Sequence, residues 1–131
     1  MFNLDLKDKV ILITGGSDGL GYASAELLSF EGAKVIICGR RGDYLNEKAK
    51  TISENTNNNV LAIQADVSKA EDCKRLVEET ISKFKKIDIL VNNAGASAAA
   101  LFEDVSDKNW GDDINLKLMS TIRMCRLVIP Y

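Results

Sequence analysis

A doubly wound α/β sheet of parallel strands is what this sequence predicts, and three observations predict it. Four short apolar runs recur along the chain with amphipathic stretches between them. The runs are near-continuous rather than alternating, as expected of parallel strands covered on both faces. The first run leads into a glycine-rich turn, Thr14-Gly15-Gly16-Ser17-Asp18-Gly19-Leu20-Gly21, and then into a helical pattern. Strand, glycine turn and helix in that order put a pyrophosphate on a helix N-terminus.

Each element follows from local chemistry. The first strand is predicted over residues 10–14. Gly15 allows the sharp turn off it, Gly19 lets backbone approach a phosphate, and Gly21 permits close helix packing. The first helix, residues 20–31, carries Leu20, Ala23, Leu27 and Leu28 on one face, and Gly32 is its C-terminal stop. The second strand covers residues 35–38, and the second helix, about 43–55, ends in the polar turn Thr56-Asn57-Asn58-Asn59. The third strand covers residues 60–65. The third helix opens with Ser68-Lys69-Ala70-Glu71, a capping box, and its face is Cys73, Leu76, Val77, Thr80, Ile81 and Phe84. The fourth strand covers residues 87–92, and a last helix runs from about 109 to 129 and stops at Pro130. Repeated βα units with short connections predict strand order 3-2-1-4, with the switch point between strands one and four.

The last helix is apolar on more than one side. Ile114, Leu118, Ile122, Cys125 and Ile129 form one stripe, while Leu116, Met119, Leu127 and Val128 lie partly on another. Such a helix is expected to be buried on two sides. One side meets the sheet. The other calls for further chain or a second subunit, and Leu116 and Leu127 are the residues expected to serve a homo-oligomer there.

The whole composition narrows the classes. At 131 residues the chain is at most one domain. Its net charge of −2 comes with no basic block, which argues against nucleic acid or an anionic membrane as main partner. No apolar run approaches the roughly 18 residues of a membrane span. Met1-Phe2-Asn3-Leu4-Asp5 does not read as a signal peptide. Cys38, Cys73 and Cys125 are odd in number and far apart, which reads as reduced thiols in a cytoplasmic protein. There is no histidine, so Ser-His and Cys-His nucleophile pairs and histidine-based metal sites have no place in the chain.

A second polar site closes the fourth strand. Asn92-Asn93-Ala94-Gly95 falls at its C-terminal end, facing the glycine turn across the switch point. With Thr14-Gly15-x-x-x-Gly19-x-Gly21 and Asp66-Val67 after strand three, the chain resembles the classical short-chain dehydrogenases/reductases over essentially its whole length. The spacing and the Asn-Asn-Ala-Gly segment set it apart from the extended sugar-epimerase branch. The resemblance implies a Rossmann-like sheet, here incomplete, and a dinucleotide-binding domain over 1–131 that is the N-terminal part of a longer reductase. It implies that Gly15, Ser17, Asp18, Gly19 and Leu20, with Gly21 behind them, cradle the pyrophosphate. Asp66 and Val67 meet the adenine, and Asn93, Ala94 and Gly95 line the adenosine and ribose side. Asn92 has a plainer reading, as a tie between strand four and the turn after strand one.

Cofactor choice is read at the end of strand two. The run there is Cys38-Gly39-Arg40-Arg41. No acid stands at Gly39 to hold a ribose 2′-hydroxyl, and two guanidiniums are at hand for a 2′-phosphate. NADP is therefore expected ahead of NAD, although Asp18 works against phosphate and Arg40 and Arg41 could instead pair with Asp43 or Glu47.

The family's serine, tyrosine and lysine, in a Tyr-x-x-x-Lys pair, belong after a fifth strand that this sequence does not contain. Tyr44-Leu45-Asn46-Glu47-Lys48 has the spacing but falls on the adenine side, and is read as coincidence. The family's helix asparagine is matched in register by Lys117 rather than Asn115. Two residues along a helix turn through about 200°, so the two face apart. Lys117 is thus the one candidate catalytic residue. The expected activity of the longer protein is hydride transfer between a nicotinamide cofactor and a carbonyl or alcohol substrate, with residues 1–131 alone inactive. The other reading is a non-catalytic dinucleotide-binding module. A methyltransferase is a third, against which the Asn-Asn-Ala-Gly segment and the glycine spacing both count.

Overall fold

The computed structural model describes residues 3–131. Its elements run β1 (Val10–Thr14), α1 (Gly19–Phe30), β2 (Lys34–Gly39), α2 (Gly42–Thr56), β3 (Leu61–Gln64), α3 (Ala70–Phe84) and β4 (Ile89–Val91). After a 3-10 turn at Phe102–Asp104 come α4 (Asp107–Ile114), a π turn (Asn115–Met119) and α5 (Ser120–Val128). The sheet is parallel throughout, in the order β3-β2-β1-β4. In the central register Ile13 lies beside Ile37 of β2 and Val91 of β4. The predicted fold class and strand order are those observed.

Alternation along β1 and β2 divides the core in two. Val10, Leu12, Ile36 and Cys38 face α3 and α5, whose Cys73, Leu76, Val77, Met124 and Val128 pack on them. Ile11, Ile13, Val35 and Ile37 face α1 and α2, against Ala25, Leu45, Ala49 and Ile52. Both faces are covered, which is why the strands read as continuous apolar runs.

The first helix departs from its predicted face. Its buried residues are Gly21, Ala25 and Ser29. Leu20 and Leu27, read as core, are 81% and 68% exposed, and Ala23 is also exposed. Small residues four apart let the helix axis come close to the sheet, so the bulky leucines are left outside. Gly32 does end this helix, at φ 85°, and its N–H donates to the Ser29 carbonyl at 3.0 Å.

The last helix begins two residues early, because Ser106 caps it by accepting the Asn109 N–H at 3.2 Å. A second correction concerns its faces. Leu116 and Leu127, assigned to association, pack against the core with α3, whereas Ile114, Leu118, Ile122 and Ile129 point outward and are exposed. The π turn carries the rotation between α4 and α5 that α-helical spacing does not include.

The approach to β4 is fixed by a carboxylate. Asp88 accepts the Val10 N–H at 2.8 Å and pairs with Lys86 at 2.9 Å. The Val10 N–H, then Lys86, holds its carboxyl below the usual carboxylate range. Asp88→Ala is therefore expected to remove about 1–2 kcal/mol of stability near neutral pH, the lower end of the scale of a hydrogen bond to a charged group because the carboxylate is partly exposed. A lowered folded pKa stabilises fully above the unfolded value of about 3.9 and ceases to do so as pH falls through the folded value. Urea unfolding should thus separate the two proteins at about pH 7 and bring them together at about pH 2. An equal gap at both would show that the carboxylate charge plays no part.

Candidate functional site

The C-terminal ends of β1 and β4 meet at the switch point. Thr14 accepts the N–H groups of Asn93 and Ala94 on its hydroxyl, each at 3.0 Å. Asn93 returns its side-chain amide to the Gly15 carbonyl at 2.9 Å. A Cβ at Gly21 would run into that same carbonyl and the Asn93 amide, so glycine is required by close approach. Here the sequence expectation shifts by one residue: Asn93 ties strand four to the turn, while Asn92 reaches Cys125 on α5 at 3.5 Å.

Gly19 is required for a different reason. Its φ is +54°, and a Cβ there would meet nothing within 4 Å. The space above it is open, at the first residue of α1. Asp18 makes no side-chain cap to that helix, and its first turn carries no acid. An uncapped helix start beside an open glycine is a seat for an anion.

Around this seat lies a cavity of about 300 Å³. The turn contributes Gly15, Ser17, Asp18 and Gly19 to its lining, and β2 with the following residues contributes Arg40 and Arg41. Asp66 and Val67 come from the end of β3, and Asn93, Ala94 and Gly95 from the end of β4. Leu20, Gly21 and Lys117 are not among the lining residues. Leu20 points to solvent, Gly21 sits behind the turn, and Lys117 pairs with Asp113 at 2.8 Å. Leu116 lines the cavity in place of its neighbour, as do Cys38, Gly39 and Ala65. The signal for Leu116 was its apolar position beside Lys117, but helical spacing did not include the π turn. Burial pushes the Cys38 thiol up to about 12, so it lines the cavity as a neutral group.

The two arginines part company. Arg41 pairs with Asp18 at 2.8 Å, and its guanidinium lies 4.1 Å from the centre of the Tyr44 ring. The Tyr44 hydroxyl donates to the other Asp18 oxygen at 2.5 Å. Lys48 stands 5.1 Å from the same ring, so the Tyr44 and Lys48 pair belongs to this surface cluster. Among the described residues the Arg40 guanidinium makes no ion pair, while its carbonyl accepts from Gln64 at 2.9 Å. Among the described residues Asp43 and Glu47, the alternative partners, pair with neither arginine.

The loop after β3 corrects the predicted capping box. Ser68 turns its hydroxyl and its N–H onto Asp66, at 2.7 and 3.1 Å, and α3 begins instead after Lys69 without a side-chain cap. The Asp66 carboxylate closes its own loop first, which leaves no serine for the helix.

A parallel sheet in this order, with a glycine turn and a cavity at its switch point, defines the doubly wound α/β class that binds ligands there. The chain belongs to the short-chain dehydrogenase family, whose sequence profile matches residues 9–131. It is 34% identical to 11-beta-hydroxysteroid dehydrogenase A of Sesamum indicum, over 100% of this chain and 38% of that protein. Its fold matches L-sorbose reductase from Gluconobacter frateurii, solved with NADPH and L-sorbose, at a TM-score of 0.95 and 34% identity. That match covers 98% of this chain and 49% of the reductase. NADH-dependent reductase A1-R′, solved with NAD, matches at a TM-score of 0.89 and 32% identity, over 99% of this chain and 54% of its own. The chain therefore spans 38% of the plant relative and about half of each reductase.

Gly19→Val places a β-branched side chain in the open space above the turn and restricts its backbone angles. It is expected to weaken dinucleotide binding more than about tenfold if the pyrophosphate sits in that open space. Calorimetric titration with NADPH reads the loss, and far-UV circular dichroism should be unchanged. Retained affinity would place the pyrophosphate elsewhere.

Proposed function

We propose that this chain is the cofactor-binding part of an NADP-dependent oxidoreductase that exchanges hydride between a nicotinamide cofactor and a carbonyl or alcohol substrate. The observation that carries it is the open helix start at Gly19 together with Arg40, which has no ion pair among the described residues and lines the same cavity. The residues present fit the group. The amides of Gly15, Ser17, Asp18, Gly19 and Leu20 hold the pyrophosphate, with Gly21 keeping the turn in place. Asp66 and Val67 hold the adenine, and Asn93, Ala94 and Gly95 hold its ribose. When bound, the nicotinamide ring supplies or accepts the hydride. The NADPH-bound and NAD-bound reductases that share this fold support the assignment.

NADP over NAD follows from the charges. Gly39 offers no carboxylate to a ribose 2′-hydroxyl, and Arg40 offers a free guanidinium to a 2′-phosphate. Arg41 is already held by Asp18 and Tyr44, so Arg40 carries the selectivity. NAD remains a possible second cofactor because Asp18 tempers the positive field at the turn.

The domain reading is that residues 1–131 form the N-terminal part of a longer reductase. The outer edge of β4 is unpaired among the described residues, and Leu20, Leu27 and Phe30 leave an apolar stripe exposed on α1. The cavity lining holds no tyrosine and no lysine, so carbonyl reduction on this reading needs residues that these do not supply. Lys117 keeps only the register of the family's helix asparagine. Bound to Asp113 and outside the lining, it receives no step. The second reading is a non-catalytic dinucleotide-binding module, which would share every cofactor group named above. Turnover of a carbonyl substrate by the longer protein decides between them.

The proposal extends to setting and partners. The three free cysteines suit a reducing cytoplasmic setting. No described helix is long and apolar enough to cross a membrane. The partner at the cavity is a small carbonyl or alcohol, with no part for nucleic acid or membrane, and a second copy of the chain covers the outward stripe on α4 and α5.

Arg40→Ala is expected to weaken NADPH by about 1.5–3 kcal/mol, the scale of a charge-assisted hydrogen bond, and to leave NADH nearly unchanged. Arg41→Ala should cost less. Calorimetry with both cofactors tests this, and an equal loss for NADPH and NADH sinks the 2′-phosphate assignment. For association, Leu118→Asp with Ile122→Asp should shift an oligomer to smaller species in light scattering. A monomeric parent protein removes that part of the proposal.

A further inference from the structure

The adenine end of the cavity is built by a loop that has no sheet partner of its own. Ala65 is the last residue tied to β2, through its N–H on the Gly39 carbonyl at 3.0 Å. The next amide, that of Asp66, is taken by a side chain from α3: it donates to the Asp72 carboxylate at 2.7 Å. Asp72 is the third residue of that helix and reaches back over the helix start, outside the cavity lining. Its other oxygen accepts from Arg75 at 3.3 Å. Arg75 in turn donates to the Gln64 carbonyl at 2.7 Å and to Glu79 at 3.1 Å. The end of β3 and the start of the loop are thus gripped at Gln64 and Asp66, on either side of Ala65, by one side-chain chain, Glu79, Arg75 and Asp72.

We propose that Asp72 is a positioning residue for adenine recognition, acting through the backbone of Asp66. The proposal rests on the cofactor reading given above. Three observations support it. One oxygen of Asp66 accepts both Ser68 groups, so its rotamer is set within the loop and the second oxygen carries no protein hydrogen bond among the described residues. Among the described residues, the backbone beneath that rotamer is held by Asp72 on the N–H side and by the Lys69 N–H, at 2.9 Å, on the carbonyl side. Val67 beside it is anchored separately, its carbonyl accepting from Cys73 at 3.2 Å, so release of Asp72 frees Asp66 in particular. The Asp66 N–H also holds the Asp72 carboxyl below the usual range, which keeps the acceptor ionised near neutral pH.

The geometry assigns a defined consequence. A carboxylate held in place accepts a hydrogen bond from the exocyclic amine of adenine. Without Asp72 the backbone at Asp66 loses its N–H anchor, the carboxylate and its Ser68 partners shift together, and the acceptor loses the direction of that bond to water. Loss of Asp72 should therefore erase recognition of the amine rather than weaken all contacts alike.

The test compares AMP with purine riboside 5′-monophosphate, which lacks the amine, by calorimetric titration. The unaltered protein is expected to prefer AMP by about tenfold, the scale of one hydrogen bond to a charged group. Asp66→Ala should bring that preference to about one, and Asp72→Ala should do nearly the same. The double variant should lose no more than either alone, as coupled residues do. Asp72→Asn keeps an oxygen that can accept the Asp66 N–H, so it should recover most of the preference. A preference unchanged in Asp72→Ala, or an equal loss for both nucleotides, overturns the positioning role. An unaltered protein that binds AMP without preference overturns the adenine role of Asp66 and this proposal with it, while the cofactor reading stands. An unaltered protein that binds neither AMP nor NADPH overturns the cofactor reading itself.

Discussion

The close seating of the end of β4 against the turn after β1 is the constraint on which the cavity depends. Thr14 makes that seating by accepting two consecutive amides on a single hydroxyl, and Asn93 completes it from the other side. Thr14 is 2% exposed, so these bonds form where water does not compete. Gly21 has no side chain because the Gly15 carbonyl and the Asn93 amide occupy that space. Turn, strand end and helix start are therefore one packed unit. The anion seat at Gly19 inherits its position from it.

Helix packing serves the same end. With Gly21, Ala25 and Ser29 against the sheet, α1 lies close enough for its N-terminus to point into the cavity. Larger residues there would lift the helix and carry the seat with it. Exposed leucines on α1 are the counterpart of that close approach. The family match over residues 9–131 fits this economy, since the matched stretch holds the turn, both arginines and the loop after β3.

Charge is distributed with a similar division of labour. Asp18 and Tyr44 hold Arg41, while Arg40 has no ion pair among the described residues. Across the cavity, Asp72 and Arg75 brace the loop that carries Asp66. Pairing among side chains at and behind the lining thus sets which groups are free to meet a ligand. Pairing an exposed arginine with an exposed acid adds little stability in itself. Its effect here is to direct charge.

Fold class, strand order and most of the cavity were legible in the sequence. Continuous apolar runs report strands buried on both sides, and glycine spacing reports a turn whose backbone must come close to a ligand. Eleven of the predicted cofactor residues, from Gly15 to Gly95, do meet around one cavity, because each stood at a strand end that parallel topology brings to the same edge. Other features depended on contacts between residues far apart in the chain. The inward face of α1, the outward face of α5, the partner of Arg41 and the seizure of Ser68 by Asp66 all required knowing which groups lie across from one another. Periodicity registers apolar bulk, and so it pointed to Leu20 and Leu27, where the sheet demanded small residues. Sequence by itself determined the order of strands and the chemistry at their ends. Only the tertiary structure decided which side chains were engaged and which were free, because hydrogen bonds and ion pairs are settled by distances of a few ångströms that sequence spacing does not contain.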